Sequence, residues 1–166
     1  LILTVLGQRV FVIGGSGDAG TGILYAARGV GALAGSWLVT HLAMKSSERL
    51  IRLIAPSYFI AGAFYALIGV APTIWIAAAL VVGAHICGSI LWVASNVMLQ
   101  LNVRDQFRGR VFTAELAALT IIQSASSYIT ALLLDRWHID PRMLAIGCGL
   151  ILWVPGTVWA IRAARH

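Results

Sequence analysis

Residues 73–101 read TIWIAAALVVGAHICGSILWVASNVMLQL, a run without one Asp, Glu, Lys or Arg. A bilayer core about 30 Å thick is crossed by about 20 mostly apolar residues, so this run is long enough to span it with some tilt. Its less apolar members, His85, Ser89, Trp92 and Asn96, recur every three or four positions, the period of one helix face. The stretch therefore reads as a membrane-spanning helix with one face turned away from lipid.

Four further apolar runs of similar length flank it, at 21–42, 50–70, 111–134 and 142–161. Between them lie 7–20, 43–49, 71–72, 102–110 and 135–141, which carry the Gly, Pro, Asp and Ser of turns. Residues 1–6 are apolar but too short to span, and are expected to be the end of a helix that starts upstream. The expected fold class is all-α, a polytopic transmembrane helix bundle, with residues 1–166 forming one unit. Composition agrees: 60% of the chain is hydrophobic and 11% charged, against about 45–50% apolar residues in soluble domains. Twelve Lys and Arg with six Asp and Glu are too few to coat a water-soluble globule of this size.

The net charge of +6 raises the question of nucleic acid, but the cations, Arg28 apart, sit in or beside the short gaps between apolar runs and are not grouped on one amphipathic element. Short connections make neighbouring helices antiparallel, so alternate gaps share a membrane face. Lys45, Arg49, Arg52, Arg104, Arg108, Arg110, Arg162 and Arg165 fall on one face, and Arg9, Arg136 and Arg142 on the other. The excess of basic residues marks the first face, with the C-terminus, as cytoplasmic in a plasma or inner cell membrane. The lipid bilayer is thus the expected partner and nucleic acid is not. Cys87 and Cys148 sit inside apolar runs as small hydrophobes, so neither a disulfide, a metal nor a cofactor is expected.

A polar side chain in hydrocarbon costs several kcal/mol unless it faces protein or water, so polar stripes show which helices line an interior. The second and fifth spans have few such residues and read as peripheral. The first carries Thr21, Tyr25 and Arg28, the third His85, Ser89, Trp92 and Asn96, and the fourth Thr120, Gln123, Ser127 and Tyr128. These three faces either converge on a water-accessible cavity or form interhelical hydrogen bonds in a packed bundle. Arg28 lies about 12 Å into its span, where it either binds an anionic group or pairs with a carboxylate. His85 is a proton-carrying group or a packing residue. Gly29, Gly31 and Gly35 are expected to allow close helix packing, the last two as a small-xxx-small pair. In the turn Arg108-Gly109-Arg110, two guanidinium groups can clamp a carboxylate, Asp105 or Glu115, or the last carbonyls of a neighbouring helix.

The segment Val103-Arg104-Asp105-Gln106-Phe107-Arg108-Gly109-Arg110-Val111 resembles the V-P-D/E-x-L-R-G-R-V signature of major facilitator superfamily exporters. Residues 22–35, GILYAARGVGALAG, are similar to the G-x-L-x-A-A-x-G-x-G-A-L-x-G helix of the enterobactin exporter-like branch. The resemblance implies that the five spans are helices eight to twelve of a twelve-helix fold, and that residues 1–6 end helix seven. It also implies helices nine and twelve on the outside, where polarity alone puts the second and fifth spans. The function implied is proton-coupled export of a small drug- or siderophore-like molecule by alternating access. Its partners would be the N-terminal half of the transporter, the small-molecule substrate and protons.

Two other classes stay open at this point. A non-transporting membrane scaffold, or a remnant of a truncated gene, would show the same spans. More remotely, Gly14-Gly15-Ser16-Gly17 matches the G-x-S-G of intramembrane serine proteases, with His85 as its base. Gly14 to Gly22 lacks the Lys of a phosphate-binding loop.

Overall fold

The computed structural model describes residues 1–43 and 47–163, with the side chains of 42, 43, 47–50 and 163 left out. Lys45 and Arg165 lie outside the described residues, as does the side chain of Arg49. The described residues form six α-helices and no strand: α1 (Ile2–Arg9), α2 (Asp18–Ala43), α3 (Ser47–Val70), α4 (Ile74–Asn102), α5 (Asp105–Asp135) and α6 (Pro141–Ala163). Five of them, α2 to α6, are long and apolar enough to cross a membrane, which is compatible with a multi-pass membrane protein.

Several helices start earlier than hydropathy suggests. α2 begins at Asp18, so the first connection is 10–17 and not 7–20. The larger correction is at α5, which begins at Asp105 and not at residue 111. Arg108-Gly109-Arg110 is therefore a helical turn and not a loop. Asp105 suits a first turn because its charge faces the positive end of the helix dipole, and a polar opening says nothing against helix once it lies outside hydrocarbon. Thr73 caps α4 by accepting the Ile76 N–H at 3.4 Å. Asp140 does the same for α6, accepting from the Arg142 N–H at 2.7 Å, with Pro141 pre-set at the first helical position.

Glycines set the helix pairing. Gly31 faces the backbone of Val82 and Gly35 that of Ile86, so α2 and α4 run parallel in constant register. The same seam continues to buried Val39, Ile90 and Ala94. α3 and α6 run antiparallel and meet most extensively of all pairs. Where they cross, a Cβ on Gly62 would stand 2.5 Å from the Gly149 carbonyl. The indole N–H groups of Trp153 and Trp159 donate across this seam to the carbonyls of Phe59 at 3.1 Å and Ile51 at 3.3 Å. α3 also packs on α4, and α1 on α2 and α6. α5 stands off from the rest and buries almost nothing along its length except Leu134.

Connections 10–17, 71–73 and 136–140 gather at one end of the bundle. There Arg142 donates to the carbonyls of Gly69 at 3.0 Å and Ala71 at 2.8 Å, and lies over the Phe11 ring. The first belongs to the last turn of α3 and the second to the residue just past its end, where carbonyls have no partner within the helix. Arg9 reaches Asp135 at 3.4 Å and ties the end of α1 to that of α5. The first connection is compact: Gly17, at φ +70°, lies where a Cβ would meet the Cα of Gln8 at 2.8 Å.

Gly62→Ala should lower the stability of the protein in detergent by about 1–3 kcal/mol, outweighing the roughly 1 kcal/mol that Ala gains over Gly in a helix. Gly147→Ala, with open space around its Cβ, should hold or raise it. Denaturant titration followed by tryptophan fluorescence checks both.

Candidate functional site: the α2–α4–α5 face

The polar residues of α2 and α4 divide between a packed seam and an open face. Ser89 lies in the seam, where its hydroxyl donates to the Ala32 carbonyl of α2 at 3.1 Å. His85 packs its Cβ against Gly31 and meets the Tyr65 hydroxyl of α3 through Nε2 at 3.2 Å, the two rings edge to face. Both are half-buried and partnered between helices. Gly31 and Gly35 make this seam possible, whereas Gly29, expected to pack with them, has nothing within 4 Å of its Cβ position. The i+4 spacing puts Gly31 and Gly35 on one stripe, and Gly29 falls about 200° around the helix from Gly31.

Tyr25 and Arg28 stand on the open side of α2, both exposed. The Tyr25 hydroxyl is 3.1 Å from the Thr4 hydroxyl of α1, which fixes the ring. The Arg28 guanidinium lies 5.9 Å from that ring's centre. No hydrogen bond or ion pair holds Arg28 among the described residues.

Trp92 of α4 and Gln123 of α5 come together across a groove of about 410 Å³, also lined by Leu119, Thr120 and Ser126. Asn96, one turn from Trp92, turns its amide back to the Trp92 carbonyl at 2.8 Å. Farther along α5, Ser127 is half-buried, and Tyr128 is exposed in a second groove with Asp135 and Arg136. The stripes thus supply two kinds of surface: seams closed by hydrogen bonds, and an open, partly polar groove where α4 faces α5.

At the opposite end of the bundle, Arg108 binds both partners expected of it. It pairs with Asp105 at 3.0 Å, and its guanidinium donates to the carbonyls of Gln100 at 2.8 Å and Val103 at 3.3 Å, at the end of α4. Gly109 has open space around it, and Arg110 lines a groove with Gln106 and Thr113. Glu115 is half-buried and takes no part, without an ion pair among the described residues. One arginine, not two, forms the clamp, because a helical Arg110 points about 200° away from Arg108. Both residues of the clamp are largely exposed, so the ion pair itself adds little stability.

Tyr65 and Thr4 escaped the reading of polar stripes. Tyr65 sits in a span set aside as peripheral, yet a tyrosine hydroxyl inside an apolar run calls for a partner, and that signal points to a facing polar group such as His85. Ser16 accepts the Asp18 N–H at 3.4 Å and His85 is held by Tyr65, so the serine and histidine of the G-x-S-G reading are each bonded elsewhere. Among the described residues no cluster of His, Cys, Asp and Glu is spaced to hold a metal ion. Comparison with protein-family models, with curated proteins and with solved structures found no match.

With Cys87 and Cys148 replaced by Ala, a cysteine introduced at Trp92 or Gln123 should react with a membrane-impermeant maleimide in open membrane fragments. One at Ala94, fully buried, should stay unmodified. The extent of labelling by mass shift checks this.

Proposed function

We propose that the chain belongs to a secondary transporter of the major facilitator type that exports a small drug- or siderophore-like molecule by proton-coupled alternating access. The supporting observation is an internal repetition of helix neighbours. Exchanging α1, α2 and α3 for α4, α5 and α6 maps part of the bundle onto itself, the exception being α5, which lacks the packed contacts that α2 makes with α4 and α1. The α3–α4 contact corresponds to α6–α1, and α3–α6 corresponds to itself. The counterpart of the α2–α4 seam is not packed: α5 and α1 meet only at their ends, where Arg9 pairs with Asp135. The α1–α2 contact corresponds to the α4–α5 groove, closed at one end by Arg108. Because three helices reverse direction, the two triplets are inverted relative to each other, and 3+3 inverted repeats build each half of such transporters.

On this reading α3 and α6 are the outer pair, locked by Gly62 and Gly149, and α2, α4 and α5 present the wall that lines the substrate path. The open groove at Trp92 and Gln123 and the exposed Arg28 belong to that wall. The other wall is the N-terminal half of the same transporter. The Arg108 clamp, at the cytoplasmic end, holds the start of α5 against the end of α4 in one state and releases it in the other, biasing inward-open against outward-open forms. Protons drive the cycle from the periplasmic side of the inner or plasma membrane, with the C-terminus in the cytoplasm.

Inverted membrane vesicles from cells producing the complete gene product should accumulate Hoechst 33342 or a catecholate siderophore several-fold above control vesicles when energised. A protonophore should abolish the difference. Uptake equal to control, or indifferent to the proton gradient, counts against the reading.

A further inference from the structure

Among the described residues, Arg28 is the one Lys or Arg placed far from both ends of its helix. It follows Asp18 by ten residues and precedes Ala43 by fifteen, about 15 Å and 22 Å along the axis at 1.5 Å per residue. The side chain is too short to carry its charge to either interface, and a charge at that depth persists only where it faces protein or a water-filled path.

Among the described residues no carboxylate is placed to neutralise it. Of the six acidic residues, Asp105 is held by Arg108, Asp135 by Arg9, and Asp140 by the start of α6. Asp18 lies at the far start of α2, and Glu48 at the junction beyond its end. Glu115 sits toward the start of α5, which begins where α4 ends; α4 runs parallel to α2, so Glu115 lies in the opposite half of the bundle. The neighbouring polar groups are satisfied without it, His85 by Tyr65 and Tyr25 by Thr4. The guanidinium therefore keeps its donors open and is braced against the Tyr25 ring.

We infer that Arg28 is an anion-recognising group on the α2 wall, and that the molecules it takes are amphiphilic organic anions bearing a carboxylate or sulfonate. A planar guanidinium donates two parallel hydrogen bonds to either group, and the Tyr25 ring suits an apolar body. A cation at the same place is repelled. The inference rests on the transporter reading for its assignment of the ligand as substrate, but the site itself is tested without transport.

In de-energised membranes, the full-length protein carrying Cys87→Ala, Cys148→Ala and Tyr25→Cys is treated with two methanethiosulfonate reagents, one ending in sulfonate and one in trimethylammonium. With residue 25 one helical turn from Arg28, the sulfonate reagent should gain on the order of tenfold in relative rate over the same protein carrying Arg28→Gln. Arg28→Lys should restore most of that gain. Gly29→Cys, at a position with open space, replaces Tyr25→Cys where the latter does not fold. A rate ratio that Arg28→Gln leaves unchanged means that the charge is already paired by a carboxylate outside this chain, and overturns the inference. Failure of both reagents to react at either position means a covered surface and also overturns it. A changed ratio without protonophore-sensitive uptake keeps the anion site and removes the transporter.

Discussion

In a bilayer, apolar helices gain little hydrophobic free energy by meeting one another, because lipid tails already satisfy their side chains. What holds such helices together is close van der Waals contact between backbones, and in this chain that contact depends on missing side chains. Gly31 and Gly35 bring α2 onto α4, and Gly62 and Gly149 bring α3 onto α6. Each seam is then fastened by hydrogen bonds that need that closeness: Ser89 to Ala32 in the first, Trp153 to Phe59 in the second. Measured bonds of this kind average about 0.6 kcal/mol, so the fasteners fix register more than they supply stability.

The two seams have different consequences. The antiparallel α3–α6 pair is long and has no Asp, Glu, Lys or Arg at its crossing, which makes it the rigid back of the bundle. The parallel α2–α4 pair turns its polar edge the other way and leaves Tyr25, Arg28 and Trp92 uncovered. α5 completes that side without packing on it, held near its two ends by arginines: Arg108 to the end of α4 and Arg9 to Asp135. A helix attached at its ends and free along its length has few contacts to break when it moves, which is where a conformational step is cheapest. The connections at one end are fastened more firmly, since Arg142 joins α6 to carbonyls at the end of α3 and to Phe11.

Polarity within an apolar run told correctly that Ser89 and His85 need partners, but not whether those partners are protein or water. The structure gives both of them protein. It leaves Trp92 and Gln123 on an open groove, although all four belong to the same set of stripes. The difference lies in which helix passes opposite, and that depends on glycines elsewhere in the chain.

The existence, number and approximate limits of the five long helices were determined by the sequence alone, because hydrocarbon thickness sets a minimum apolar length that composition either meets or does not. The small-xxx-small stripe at Gly31 and Gly35 was also legible, since a helical period places them on one face. The polar first turns of α5 were not, because hydropathy measures preference for lipid and not for helix, and Asp105–Arg110 is helical outside the apolar zone. Nor could one chain of letters say that Gly62 meets Gly149, that Tyr65 satisfies His85, or that Arg28 stands without a carboxylate among the described residues. Those facts join residues far apart in sequence, and only tertiary packing decides which distant backbones come close enough to exclude a side chain.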